Sequence, residues 1–218
     1  MKVLELFSGT HSIGKVCKEY NFNVISLDRD LSAECPFGSG YKSENHIQAD
    51  IMTWDYTIYP KGHFDLITAS PSCFYWSPLR KTNYGKELKA HPGKIFSEKL
   101  LLQDIEDYGI PMVDKVFEIM DYYQPKFWWI ENPKLGSMKD YINDLIPYID
   151  VDYCRYGFDY KKPTRIWTNI KFKGLKCNHK KHLTTTTNGK GRGGGSNRLP
   201  RYVIPPKLIE DIIEHVDI

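Results

Sequence analysis

The chain predicts an α/β fold, a mixed sheet flanked by helices, and three observations carry that prediction. Short apolar, β-branched runs alternate with stretches of helical period along the 218 residues. No apolar run approaches the ~18 residues needed to cross a bilayer, so the expectation is a soluble protein without membrane contact. Ligand-type residues also recur where the strands stop: Ser8-Gly9 after the first, Asp28 after the second, Asp50 after the third and Cys73 just past the fourth. In an open α/β sheet the carboxyl ends of the strands form the binding crevice.

The elements follow in order. Lys2 to Phe7 reads as the first strand, because Gly9 arrives too soon for a signal-peptide apolar region. A helix through Val16 to Tyr20 follows, then a strand from Asn23 to Leu27 ending at Asp28. Ile47-Gln48-Ala49-Asp50 is a short third strand, and Phe64 to Ala69 a fourth that ends in a Ser-Pro turn. From Lys99 to Tyr122, Leu102, Ile105, Val113, Val116, Phe117 and Met120 recur at helical spacing, with a break expected at Gly109-Ile110-Pro111. Phe127 to Ile130 is a buried strand leading into Glu131-Asn132-Pro133. A helix over Met138 to Leu145 and strands near Val151 to Tyr156 and Arg165 to Lys171 complete the sheet. Thr184 to Ser196, rich in Thr and Gly, reads as a mobile surface loop, and Pro205-Pro206 opens a last helix with Leu208, Ile209 and Ile212 as its buried stripe.

Five scattered cysteines (Cys17, Cys35, Cys73, Cys154, Cys177) argue for free thiols in a reducing compartment rather than a disulfide framework. With no targeting signal in view, the expected location is intracellular, in an infected host cell if the protein is viral. The net charge of +3 says little, but lysines and arginines from Lys161 to Arg201 crowd the last third, which suits a phosphate backbone as well as a solvated face. Cys177-Asn178-His179-Lys180-Lys181-His182 offers three nitrogen or sulfur ligands with no fourth in view, so it is read as a polar loop and no metal is assigned.

The segment Phe7 to Gly14 lets the backbone approach a ligand and offers helix N–H groups, yet it is not the G-x-G-x-x-G dinucleotide fingerprint. Asp28 is placed to hydrogen-bond ribose hydroxyls and Asp50 to accept from an exocyclic amine, although either alone serves equally as a turn or cap residue. Together they outline a nucleoside pocket. Cys73 at its rim is a nucleophile if its surroundings favour the thiolate, and otherwise a small buried hydrophobe.

Four motifs in order narrow this further: Phe7-Ser8-Gly9, Pro71-Ser72-Cys73, Glu131-Asn132-Pro133 and Thr164-Arg165-Ile166. In this arrangement the chain resembles the DNA (cytosine-5) methyltransferases from Met1 to Asn169, with a looser echo at Val203 to Ile212. The segment from Tyr156 to Asn169 is most similar to short viral and phage members. The resemblance implies a Rossmann-like, S-adenosylmethionine-dependent methyltransferase fold acting on DNA. Phe7, Ser8, Gly9, Thr10, His11, Ser12 and Ile13 would surround the cofactor, with Asp28 and Arg29 at its ribose, Asp50 and Ile51 at its adenine, and Ser70 and Pro71 lining the rim. Cys73 would add to C6 of cytosine, Glu131 would hold N3 and the exocyclic amine, and Arg165 would orient the base. Glu131 follows the apolar Phe127-Trp128-Trp129-Ile130, so burial is expected to raise its pKa. Trp76, Arg80, Lys81, Lys161, Lys162 and Arg198 are the expected nucleic-acid contacts, and the loop from Leu79 to Ser97 a further candidate.

Three departures stand out. Ser72 and Phe74 replace the family's usual proline and glutamine beside the cysteine; Tyr160, Lys161, Lys162 and Pro163 replace a glutamine and a second arginine; and the C-terminal Gly-Asn-Ser is missing, its place taken by Val203-Ile204-Pro205-Pro206. The expected organisation is a catalytic domain over residues 1–170, a small basic loop region over 171–202 as a minimal target-recognition element, and a C-terminal helix in 203–218 packing back on the catalytic domain. So short a recognition element implies loose specificity or a partner that supplies it. The rival functions are a catalytically silent nucleic-acid-binding module and an enzyme acting on RNA or a free nucleotide. No oligomeric state is legible.

Overall fold

A computed structural model describes residues 1–30, 45–142, 145–182 and 203–216. In chain order the elements are β1 (Lys2–Leu6), α1 (Ser12–Glu19), β2 (Asn23–Asp28), β3 (His46–Gln48), β4 (Leu66–Ala69), β5 (Glu87–Leu88), β6 (His91–Ile95), α2 (Glu98–Asp104), α3 (Ile110–Tyr123), β7 (Phe127–Pro133), α4 (Met138–Tyr141), β8 (Tyr148–Asp152), β9 (Pro163–Thr168) and α5 (Pro206–Ile213). Seven strands form one sheet in the order β3-β2-β1-β4-β7-β9-β8, and β5 and β6 pair separately. β3, β2, β1, β4 and β7 run parallel, whereas β9 is antiparallel to both β7 and β8. The carboxyl ends of β1, β2, β4 and β7 therefore open along one rim.

Period-two alternation sends side chains to two cores. Val3, Leu66, Trp129 and Ile166 face one side, with Val16 and Cys17 of α1 and Leu208, Ile209, Ile212 and Ile213 of α5. Leu4, Ile67, Ile130 and Trp167 face the other, with Val113, Val116, Ile119 and Met120 of α3. Burying the four aliphatic side chains of α5 is worth roughly 2 kcal/mol each before the entropy of ordering them. That burial ties the end of the described chain to its first helix.

The structure differs from the sequence pattern in five places. The expected break at Gly109-Ile110-Pro111 is a π-turn, Ile105–Gly109, between α2 and α3. The wider turn absorbs the N–H that Pro111 lacks and keeps the two helices continuous. The strand expected over Val151 to Tyr156 is β8, which starts at Tyr148, and Tyr153–Tyr156 coils into a 3-10 turn closed by Gly157 at φ 95°. The last strand lies earlier, starting at Pro163. β3 stops at Gln48, so Asp50 opens a turn instead of ending a strand; its Oδ1 accepts from Met52 N at 3.0 Å. The segment from Leu79 to Ser97 is folded as a 3-10 helix (Pro78–Asn83) and the β5-β6 hairpin. The Thr184 to Ser196 segment lies outside the described residues. Among the described residues no helix is long and apolar enough to cross a membrane.

Candidate active site

The turn from β1 to α1 is built on backbone that L-residues rarely adopt, with Phe7, Gly9 and His11 at φ 57°, 46° and 55°. Its neighbours hold it there. Gly9 N donates to Asp28 Oδ2 at 2.8 Å and Ser8 N to the Leu27 carbonyl at 3.0 Å. Beneath it lies Glu5, a buried carboxylate that the sequence pattern did not single out. Glu5 Oε1 accepts from Ile13 N and Gly14 N, and Oε2 from the Ser26 hydroxyl. Burial pushes its pKa up to about 7 despite those donors. The neighbouring His11 is pushed down by burial first, then by His46.

Ser70 follows β4 on the same rim, its N–H donating to the Leu6 carbonyl at 3.3 Å. The Ser8 and Ser70 hydroxyl oxygens are both buried without a hydrogen-bond partner among the described residues. Orphaned hydroxyls at adjoining strand ends, beside an acidic residue closing β2, fit a polar nucleoside-bearing ligand. Thr10 and Ser12 bond each other at 2.8 Å, Ile13 and Ile51 are buried, and Pro71 offers its carbonyl to Asn132 Nδ2 at 2.9 Å. Arg29 and Asp50 are exposed at the outer edge of this rim.

Cys73 stands exposed on the loop after β4, and that loop is fixed at both ends. Asn132, buried at the end of β7, holds Pro71, and Ser137 N donates to the Trp76 carbonyl at 2.9 Å. Partial desolvation pushes the thiol up, Lys162 pulls it down, and Glu131 pushes it up again. The three groups therefore sense each other's charge. Glu131 is buried; its Oε1 accepts from the Tyr153 hydroxyl at 2.8 Å and lies 3.6 Å from Lys162 Nζ. Lys162 Nζ also sits 4.6 Å from the Tyr153 ring centroid. Burial, followed by Glu131, drives the Tyr153 hydroxyl well above its ordinary value. Tyr160 is buried near the same carboxylate, its hydroxyl without a partner among the described residues and pushed up to about 12 by burial, then Asp159 and Glu131.

Four side chains lie elsewhere than their sequence-predicted roles require. Glu131 is opposite Ile166 in the β7-β9 ladder and Asn132 is opposite Arg165, so Arg165 projects from the other face of the sheet. There its guanidinium grips Asp150 at 2.8 and 3.3 Å and lies 3.6 Å from the Tyr148 ring centroid. Lys162, expected at the nucleic-acid backbone, is instead the cation beside Glu131 and Cys73. Trp76 is 2% exposed, stacked on Tyr141 and pressed against Gly109, so its ring is a core side chain. Arg80 is buried in an ion pair with Asp104, which also meets His91 Nε2 at 3.0 Å. That network underpins the β5-β6 hairpin. Lys81, Lys86, Lys89 and Lys94 are exposed around it, and Lys161 is exposed next to Lys162. Arg198 lies outside the described residues.

The methyltransferase fold recurs in solved structures. One, a methyltransferase encoded within an E. coli prophage, superposes with a TM-score of 0.50 at 17% identity, covering 77% of this chain and 46% of that one. Another, the Entamoeba histolytica methyltransferase EhMeth, gives a TM-score of 0.50 at 13% identity, covering 80% and 56%. The chain spans about half the length of these two proteins. No family model matches the chain. The "Probable DNA (cytosine-5)-methyltransferase" of Frog virus 3 (isolate Goorha), however, is 34% identical over 235 residues, covering 98% of this chain and 99% of the viral one. At that identity and coverage the chain is an S-adenosylmethionine-dependent methyltransferase. The chain belongs to the DNA (cytosine-5)-methyltransferase family.

Proposed function

We propose that the chain methylates C5 of cytosine in DNA through a covalent adduct between Cys73 and C6 of a flipped-out base. The observation that carries this reading is the convergence of Cys73, Glu131 and Lys162 at the ends of β4, β7 and β9, next to the pocket of Ser8, Ser70 and Asp28. S-adenosylmethionine supplies the methyl group. Phe7 to Ile13 and Asp28 would hold it, with Ser8 and Ser70 offering hydroxyls that have no partner among the described residues.

Cytosine C5 is a poor nucleophile because the ring is aromatic and electron-poor. Attack of the Cys73 thiolate on C6 forms a C–S bond, pushes the C5–C6 π electrons towards N3 and leaves C5 enamine-like. The Glu131 carboxyl gives a proton to N3 as charge develops there while its other oxygen accepts from the exocyclic amine, acting from a site already braced by Tyr153. Lys162 supplies the positive charge beside Glu131 and pulls the thiol's pKa down. Once C5 carries the methyl group, water takes the C5 proton, that electron pair re-forms the C5–C6 double bond, Cys73 leaves as thiolate and N3 returns its proton to Glu131. A base inside a duplex is out of reach of this loop, so the target is taken out of the stack. Exposed Lys81, Lys86, Lys89, Lys94 and Lys161 would meet the phosphates, making binding salt-dependent.

Incubation with tritiated S-adenosylmethionine and DNA, RNA or free cytidine nucleotide tests the reading. Label is expected at cytosine C5 in DNA; label confined to RNA or nucleotide, or in none of them, rejects it.

A further inference from the structure

The strongest feature that methyl transfer leaves unused lies at the far edge of the sheet. Cys177, His179 and His182 share one stretch of chain, and the fold brings a fourth soft donor to them from a distant position. That donor is Cys154, in the 3-10 turn directly after β8. Its sequence spacing gives no hint of the grouping, because the bend at Tyr153–Tyr156 is what turns it towards the later segment. The four ligand atoms all lie within 4.8 Å of one another. Cys177 Sγ is 3.2 Å from His182 Nε2 and 3.9 Å from His179 Nδ1. Zinc–sulfur and zinc–nitrogen bonds of about 2.3 and 2.0 Å set tetrahedral ligand-to-ligand edges of about 3.3–3.8 Å. The observed spacings bracket that range.

We propose that Cys154, Cys177, His179 and His182 bind a structural Zn²⁺ through two sulfurs and two imidazole nitrogens. Four nitrogen and sulfur donors with no carboxylate among them select zinc over calcium or magnesium and complete its coordination, so the site is a staple with no open catalytic position. Two thiolates balance the charge of the ion, and binding releases two thiol protons.

The backbone around the ligands is fixed in advance. Cys177 N donates to Asp152 Oδ2 at 2.7 Å, and Asp152 N donates to the Leu175 carbonyl at 2.9 Å. Leu175 N donates to the Tyr156 hydroxyl at 3.0 Å, and Arg155 reaches Asn178. Gly174 lies so close to β8 that a Cβ there would come within 2.5 Å of Ile149 Cγ2 and 2.7 Å of the Asp150 carbonyl. Residues 171–182 form no helix or strand, and Phe172 is their one fully buried apolar side chain. A segment that cannot build a core of its own is where a metal supplies the missing stability. It also carries Lys171, Lys173, Lys176, Lys180 and Lys181. The ion would pin this basic stretch to β8, two strands from Glu131.

The test is metal analysis of the full chain, purified under reductant without a histidine tag, and it does not depend on the substrate assignment. One zinc per chain is expected, lost in parallel with two thiols becoming titratable on chelation. Cobalt(II) in its place should give visible tetrahedral bands and thiolate charge transfer. Cys177→Ser and His182→Ala should each weaken Zn²⁺ binding by at least about tenfold. Cys154 is buried, so Cys154→Ser risks the fold; His179 is exposed, and His179→Ala should weaken zinc while far-ultraviolet circular dichroism stays unchanged. The proposal is overturned if the wild-type chain, supplied with Zn²⁺ and desalted, keeps less than about a tenth of an equivalent. A Cys154–Cys177 disulfide in that same preparation would equally sink it.

Discussion

A central strand and an edge strand of the seven-stranded sheet stabilise buried carboxylates in opposite ways. Glu5 on β1 has backbone N–H groups, a serine hydroxyl and, at 4.0 Å, the His11 imidazole, and burial holds its pKa at about 7. Asp150 on β8 is also desolvated, yet Arg165 and Lys134 outweigh the burial and hold it at about 2. Dipoles are enough where the group only has to brace the α1 turn. Full cations are used where the sheet turns antiparallel, with Arg165 and Lys134 beside Asp150. Glu131 sits between these regimes, with one hydrogen-bond donor and one lysine. The cofactor end is therefore shaped by backbone, and the chemical end by paired charge.

The largest break in that picture should come from Glu131→Gln. The amide still accepts from the exocyclic amine but has no carboxyl proton to give N3, so kcat should fall by about 10²–10³-fold, with folding intact by circular dichroism. Next, Arg165→Met should cost about 3 kcal/mol in urea unfolding, because Asp150 keeps Lys134 but loses its bidentate partner. Turnover per folded molecule should fall by less than about threefold, since Arg165 is on the face away from Glu131. Lys162→Met should show the reverse pattern, with kcat/KM down about tenfold or more and stability nearly unchanged.

Its pH profile sharpens the contrast. The free thiol of Cys73 lies above its ordinary value, so kcat/KM should climb with pH through the neutral range. Removing the lysine that lowers it should move that climb to higher pH. An unshifted profile would detach Lys162 from the thiol.

The smallest effects are in stability. The folded Glu5 binds its proton more tightly than the unfolded one, so its contribution is full below its ordinary 4.5 and falls away as pH rises towards 7. Asp150 behaves oppositely: its contribution is full above its ordinary 3.8 and is lost as pH falls through about 2. Glu5→Gln should gain about 1 kcal/mol at pH 8 and nothing at pH 4, because the amide accepts more weakly from Ile13 and Gly14.

The β1–α1 turn and the acid closing β2 were legible in the sequence, because a glycine turn after a strand and an acid at a strand end are local signals. Cys73 and Glu131 were legible for the same reason, each lying just beyond an apolar strand. Arg165 and Lys162 were not told apart, since which of them faces Glu131 depends on the register of an antiparallel pair, and a shift of one residue exchanges the faces. Trp76 and Arg80 look like surface residues of a polar loop. Their burial follows from the β5-β6 hairpin and from the π-turn that lets Gly109 meet the indole. Cys154 joined its partners only once Tyr153–Tyr156 was seen as a turn, a shift of the element boundary that periodicity does not resolve.

The most direct test of the account is trapping with 5-fluorocytosine DNA in the presence of S-adenosylmethionine, read by intact mass and peptide mapping. Fluorine at C5 cannot leave as a proton does, so the adduct should persist. Wild-type protein should carry a stable DNA cross-link mapping to Cys73, and Cys73→Ser should carry none while still binding the cofactor. A cross-link that survives in Cys73→Ser, or no cross-link in an active wild-type preparation, would contradict it.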